Sequence, residues 1–321
     1  MIRIEQLTKR YGATSVVDEV SLVVERDSIM AIVGTSGSGK STLLRMINRL
    51  VEPSSGRVLL NGRDTGAEPA HLLRRRIGYV IQGNGLFPHR TVAENIATVP
   101  RLLGWEEKRI GARVAELLTL LQLETGVYAH KYPHELSGGQ QQRVGVARAL
   151  AAEPSVLLMD EPFGALDPII RAKAQEDLRH IRRRFGITIV LVTHDIEEAF
   201  RLGDRVAVMS RGHLLQCDRP AALLTRPADP FVTQLTGAAD RALRLLSLTR
   251  AGDLADPAGS GGEAVAHAGA GEVSVAADAS LRDVLADLMW QNADAAVVLD
   301  AGGRPCGRLT VAAILAQGRA R

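Results

Sequence analysis

The chain has 321 residues, enough for two domains and a sizeable core. Lysine and arginine number 39 against 36 aspartate and glutamate, and aromatics make up 3%. So even a balance argues against a polyanion-binding surface, and so few aromatics argue against a base-stacking platform; no nucleic-acid partner is expected.

Two cysteines, Cys217 and Cys306, lie far apart without metal-ligand spacing, which suits a reducing, cytosolic compartment. Residues 1–5 lead into no apolar signal-type segment. No apolar run approaches the about 18 residues needed to span a bilayer. Work at a membrane would need another chain to supply the spanning part.

Residues 2–24 place Ile2, Ile4, Leu7, Val16, Val17, Val20, Leu22 and Val24 in short alternating runs, which predict antiparallel strands. Tyr11 precedes a turn at Gly12 and is either an edge-strand aromatic or a ring stacked on adenine. The apolar run Ile29–Val33 feeds Gly34-Thr35-Ser36-Gly37-Ser38-Gly39-Lys40-Ser41, and an apolar-periodic segment starting at Thr42 follows. Strand, glycine loop and helix start are the context in which G-x-x-x-x-G-K-[ST] cradles phosphates. Backbone N–H groups curl inward and the helix N-terminus adds partial positive charge. Lys40 would reach the β- and γ-phosphates, and the Ser41 hydroxyl would ligate Mg²⁺.

A turn at 52–56 leads to a strand, Arg57–Leu60, and a hairpin turn at Asn61-Gly62. Ile77–Ile81 is a short apolar strand ending on Gln82. Residues 91–123 read as helical, with Thr91 and Glu94 forming a capping box and Gly104 and Gly111 marking breaks. Leu136-Ser137-Gly138-Gly139-Gln140 opens a helix to Ala152. Val156–Met159 is a continuous apolar strand of the kind buried in a parallel sheet, and it runs into Asp160-Glu161. A turn at Ala165-Leu166-Asp167 precedes a charged amphipathic helix, Ile169–Phe185. Ile187–Val192 is a third buried strand, ending at Thr193-His194-Asp195. A helix, Ile196–Leu202, and a strand from Arg205 follow. Alternating strands and helices predict an α/β fold with a parallel core sheet.

Residues 241–271, rich in Ala, Gly and Pro toward their C-terminal part, read as a flexible linker after a first domain of residues 1–240. The remainder, 272–321, predicts strand, helix (Leu281–Asn292), strand (Ala295–Leu299), strand (Gly307–Val311) and a final helix. At about 50 residues its core would be marginal alone, so a partner surface is expected.

Asp160 stands at the C-terminal end of a buried strand, where α/β folds place site residues, and would hold Mg²⁺. Glu161 is the general-base candidate for water attacking a γ-phosphate. Gln82 could touch the metal or that water, and His194 could bond γ-phosphate oxygens; each alone is as readily a satisfied structural residue. Ser137, Gly138 and Gly139 at a helix start make a second anion site. In a head-to-tail dimer it can close over the nucleotide held by the other copy.

With these motifs together, residues 2–236 resemble the ATP-binding subunit of ABC transporters. The resemblance rests on the phosphate loop Gly34–Ser41, the signature Leu136–Gln140, the Walker B strand ending in Asp160-Glu161, the stacking Tyr11, the Q-loop Gln82, the D-loop Asp167 and the switch His194, in the family's order. It implies a P-loop nucleotide-binding domain with a parallel core sheet, an antiparallel β subdomain and a helical subdomain at about 88–153. It implies ATP and Mg²⁺ as cofactors and a homodimer with two ATP molecules. Each ATP would lie between Gly34, Thr35, Ser36, Gly37, Ser38, Gly39, Lys40, Ser41 and Thr42 of one copy and Ser137, Gly138, Gly139 and Gln140 of the other. Residues 83–90, around Leu86-Phe87-Pro88, would meet a membrane permease, placing the chain on the inner face of the cell membrane, served by a periplasmic or lipid-anchored binding protein. Tyr79–Pro100 and Asp160–Pro168 are similar to importers of glycine betaine, choline and related osmoprotectants. Those ATPases often carry CBS modules; here one CBS-like motif, 272–318, stands where pairs are usual, and the chain ends on basic residues. The resemblance leaves open another small solute, such as an amino acid or an organic anion, and, less favoured by the near-neutral charge and single ATPase unit, a soluble ABC ATPase outside transport.

Overall fold

The computed structural model describes residues 1–83, 85–164, 166–237, 240–257 and 273–318. They fall into two compact units, Met1–Arg219 and Pro220–Arg321.

The first unit opens with an antiparallel sheet in the order β2-β1-β4-β5. Its strands are β1 (Ile2–Tyr11), β2 (Thr14–Val24), β4 (Ser55–Leu60) and β5 (Arg63–Asp64). Alternation puts Ile2 and Ile4 in the core, but Leu7 breaks the period by one residue. A register shift between Ile4 and Leu7 absorbs the extra residue, with Gln6 at φ 47°, and returns Leu7 to the buried face. Asn61 and Gly62, at φ 51° and 81°, make the expected hairpin turn.

The core sheet runs β10-β9-β3-β8-β7-β6. These are β3 (Ile29–Val33), β6 (Ile77–Val80), β7 (Val156–Asp160), β8 (Thr188–Val192), β9 (Arg205–Ser210) and β10 (His213–Asp218). All pairings are parallel except that of the edge strand β10. Every residue of β3, β7 and β8 is buried, as their unbroken apolar runs require. Register places Val80 beside Met159, Asp160 beside Val192, and Ile32 beside Val192. The segments leaving β3, β6, β7 and β8 therefore emerge side by side at one edge. Helices α1 (Lys40–Ile47), α2 (Ala70–Arg75), α7 (Pro168–Phe185) and α8 (Ile196–Leu202) belong to this layer's connections.

Between β6 and β7 stand α3 (Val92–Leu102), α4 (Glu107–Leu120), α5 (Thr125–Tyr128) and α6 (Gly138–Leu150). The Thr91–Glu94 capping box is present. Gly104 does break the chain, at φ 74°, whereas Gly111 lies inside α4; nothing in its surroundings forbids a helix there. Fully buried Asn95 accepts from the Phe87 amide at 2.8 Å and donates to the carbonyls of Phe87, Arg90 and Thr91, so one side chain shapes the 87–91 turn.

The second unit holds α9 (Pro220–Thr225), α10 (Pro230–Leu235), α11 (Arg241–Leu248), α12 (Ala251–Leu254), β11 (Asp256–Pro257), β12 (Val273–Ala276), α13 (Leu281–Gln291), β13 (Ala295–Leu299), β14 (Pro305–Thr310) and α14 (Val311–Gln317). Its sheet order is β11-β14-β13-β12. The linker expected from 241 is corrected here: residues 241–248 are helical. Leu246 and Ala251 are buried in one cluster with Val275, Leu285, Val298 and Ile314. Composition hid this, because the apolar spacing within Leu243–Leu248 is diluted by the Ala/Gly-rich stretch that follows. The core thus exceeds the 50 residues expected of it, and the unit starts at Pro220, not 272. Residues 258–271 of the expected linker lie outside the described residues.

Candidate nucleotide-binding site

The loop from β3 to α1 is shaped by a close approach. Gly39 caps α1 at φ 95°, and a Cβ there would sit 2.4 Å from the Val16 carbonyl oxygen. The Ser38 amide donates to Thr35 O at 3.1 Å, closing the turn. Lys40 is buried, and its ammonium donates to the carbonyls of Gly34 and Thr35 at 2.9 and 2.8 Å. Burial lowers its pKa, while the negative charges of Glu161 and Asp160 pull it back up. An ammonium held inside a ring of loop backbone is placed to meet a phosphate, and Thr35, Ser36 and Gly37 are exposed around it.

Asp160, 1% exposed, closes β7. It accepts from Ser41 Oγ at 2.7 Å and from Arg45 Nη2 at 3.2 Å. Burial raises the pKa of the neighbouring Tyr79, against the pull of Arg45. Hydroxyl and carboxylate, with the Gln82 amide nearby in the sequence of strand ends, are hard oxygen donors of the kind Mg²⁺ prefers. Among the described residues no cluster of three or more His, Cys, Asp and Glu offers a self-sufficient metal cage.

Glu161 sits at φ 47°, in the left-handed region, with its N–H donating to Val192 O at 3.0 Å. Its Oε2 accepts from Gln82 Nε2 at 3.2 Å and lies 3.5 Å from His194 Nδ1. Three residues singled out from separate strand ends therefore meet at one carboxylate oxygen.

Ser137 caps α6 in a full capping box with Gln140, whose amide also donates to the Tyr128 hydroxyl at 3.1 Å. Among the described residues no hydrogen bond or ion pair joins 137–140 to the phosphate loop or to Asp160-Glu161. A Cβ at Gly139 would meet Ile170 Cγ2 at 2.8 Å, so the start of α6 rests on the first turn of α7. Asp167 caps α7, accepting from the amides of Ile169 and Ile170 at 3.1 Å each. Tyr11 is 54% exposed at the end of β1, with Lys9 Nζ 4.9 Å from its ring centre. Thr42 is half-buried on α1.

The sequence reading missed Arg45, one helical turn beyond Ser41 and on the same face of α1. That i,i+4 spacing was the available signal. It also missed Glu198 on α8, which is buried with Oε1 lacking a hydrogen-bond partner. Burial, then the charge of Asp195, raise its pKa from 4.5 to about 7, against the pull of Arg171 and Thr193. The folded chain therefore holds a proton there that the unfolded chain has released. Stability falls as pH rises from about 4.5 through about 7 and levels off above. Glu198→Gln should remove this dependence, gaining on the order of 2–3 kcal/mol over wild type between pH 4 and pH 8. Urea unfolding of both proteins at the two pH values checks it; an equal difference at both would exclude a buried ionising carboxyl.

A family model described as ABC transporter matches residues 17–164. The glycine betaine uptake system ATP-binding protein YehX of Escherichia coli is 47% identical over 310 residues, 96% of this chain and 97% of that protein. The chain belongs to the ABC transporter ATP-binding family. Another member, the glycine betaine/carnitine/choline transport ATP-binding protein OpuCA of Bacillus subtilis, is 48% identical over 238 residues, 74% of this chain and 62% of that protein. A solved dimeric structure of the ATP-binding cassette MJ0796 in a post-hydrolysis state, bound to ADP and Pi, is similar at TM-score 0.62 and 33% identity. It covers 68% of this chain and 99% of that one. The parallel and antiparallel sheets of the first unit are thus those of the ABC ATPase cassette, and the chain is an ATP-binding ABC ATPase. Among the described residues no helix is long and apolar enough to cross a membrane.

Proposed function

We propose that this chain hydrolyses ATP to drive an importer of quaternary-ammonium osmoprotectants of the glycine betaine or choline type. The observation that carries the hydrolytic part is the convergence of Gln82 and His194 on Glu161 Oε2, beside the Lys40–Ser41–Asp160 corner. Glu161 is the general base, taking the proton of the water that attacks the γ-phosphorus. Gln82 holds that carboxylate and the water in line, and His194 donates to γ-phosphate oxygens. Lys40 and the N–H groups of Gly34–Thr42 bind the β- and γ-phosphates, and Tyr11 stacks on the adenine. Ser41, Asp160 and Gln82 would hold Mg²⁺, which neutralises charge on the phosphate oxygens.

Ser137, Gly138, Gly139 and Gln140 have no partner in the phosphate loop of their own chain. They complete the site of a second copy, with Asp167 near the junction, in a homodimer. The 83–90 segment, whose end at 87–90 is shaped by Asn95, is the contact for membrane permease subunits on the inner face of the cell membrane. A periplasmic or lipid-anchored binding protein delivers the solute. The segment from 272 to 321 is a single CBS-like module.

The substrate class is supported by the likeness to YehX, which runs through the second unit as well as the cassette. The test is ATP hydrolysis by the chain assembled with its permease in proteoliposomes. Glycine betaine or choline with the binding protein should stimulate it several-fold. Stimulation by an amino acid or an organic anion instead would overturn the substrate class and leave the ATPase standing.

A further inference from the structure

The two turns nearest Glu161 are joined by a residue outside the motifs. Arg171, on the second turn of α7, donates from Nη2 to the Leu166 carbonyl at 3.0 Å. Its Nη1 stands 3.8 Å from Asp195 Oδ2. Asp195 is fully engaged on its other oxygen: Oδ1 caps α8, accepting from the amides of Glu197 and Glu198. The Asp195 amide in turn donates to Thr193 Oγ1 at 3.0 Å, which closes the turn around His194. One guanidinium therefore spans from the turn before α7 to the turn that carries His194.

The same turn before α7 supports the signature. The Cβ position at Gly139 lies 2.8 Å from Ile170 Cγ2 and 3.9 Å from Leu166 Cδ2. A contiguous path thus runs from Gly139 through Leu166 and Ile170 to Arg171, then Asp195, His194 and Glu161. Arg171 Nε is buried without a hydrogen-bond partner, and so is Glu198 Oε1.

We propose that Arg171 is a positioning residue for hydrolysis: it sets the turn bearing His194, and so the hydrogen bonding at Glu161, from the turn on which the signature rests. The inference rests on the ATP-site reading above. The two acceptors take different ends of the fork, Nη2 on Leu166 O and Nη1 toward Asp195 Oδ2, a fixed spread that a lysine's point charge lacks. In a two-copy site the signature touches the partner's ATP while His194 serves the chain's own. Arg171 therefore lies between the two.

The test uses the full chain and steady-state ATP hydrolysis. Arg171→Ala should lower kcat about tenfold with KM for ATP within about twofold, as expected for coupling between residues of one network. Asp195→Asn keeps the helix cap, because asparagine caps as well as aspartate, and removes only the charge facing Arg171. It should cost kcat about as much, and the double variant should be no worse than either single. Should Arg171→Ala fail to fold, Arg171→Lys keeps charge and stem without the fork and should show the same kcat loss. Unchanged kcat, single effects that multiply, or an equal loss of ATP binding would overturn the role. Glu161→Gln run alongside separates the two ideas. Normal turnover by that variant sinks the site reading, whereas an inactive Glu161→Gln with an unaffected Arg171→Lys sinks only this one.

Discussion

Glu161→Gln is expected to bind ATP as wild type does and to hydrolyse it about 10²–10⁴-fold more slowly, the range a positioned general base contributes. The amide is isosteric and its oxygen can still accept from Gln82, which lies 3.2 Å from the carboxylate. The backbone bond from Glu161 N to Val192 O, which holds the residue at φ 47°, is untouched. Only proton uptake is lost. Phosphate release and equilibrium ATP binding, measured on one preparation, check both halves. Turnover within tenfold of wild type would remove Glu161 from the role. The slow variant also traps the ATP-bound state, so light scattering with ATP should report a dimer. A monomer with ATP bound would count against a signature borrowed from a second copy.

Much of the site was legible because parallel sheets align strand ends. Buried apolar runs ending in Gln82, Asp160 and His194 had to emerge together once the strands were adjacent, and β6, β7 and β8 are. The phosphate loop was legible because its backbone demands specific residue types at fixed spacing. The ties that tune the site were not. Arg45 meets Asp160 across 115 positions of sequence, with only its i,i+4 spacing from Ser41 as a local hint, and Arg171 meets Asp195 through the packing of α7 on α8, with no local pattern. Asn95 likewise shows its purpose only when the 87–91 turn folds over it. The second unit began earlier than composition suggested because burial, as at Leu246, depends on strands some 30–60 residues further on.

Lys40→Ala should abolish ATP binding at concentrations that saturate the wild type, a loss of at least about 100-fold. Charge-assisted hydrogen bonds to phosphate are worth about 1.5–3 kcal/mol, and desolvation strengthens them. Lys40 is 6% exposed, so no water-borne cation takes its place cheaply. Asp160 and Glu161 lie close enough to act on its charge. Without the ammonium, Asp160 keeps only Arg45 as a counter-charge and Glu161 loses the lysine's, so repulsion of the phosphates adds to the lost attraction. The lysine also ties Gly34 O and Thr35 O together, so some of the effect could come from a loosened loop. Lys40→Arg separates the contributions: charge is kept, but the planar guanidinium does not fit a pocket built for one ammonium. If Lys40→Arg restores most of the affinity, charge alone was at issue. If both variants fail while their unfolding curves match wild type, the loop needs the lysine's shape as well. ATP affinity unchanged in Lys40→Ala, read by calorimetry, would contradict the phosphate-loop assignment itself.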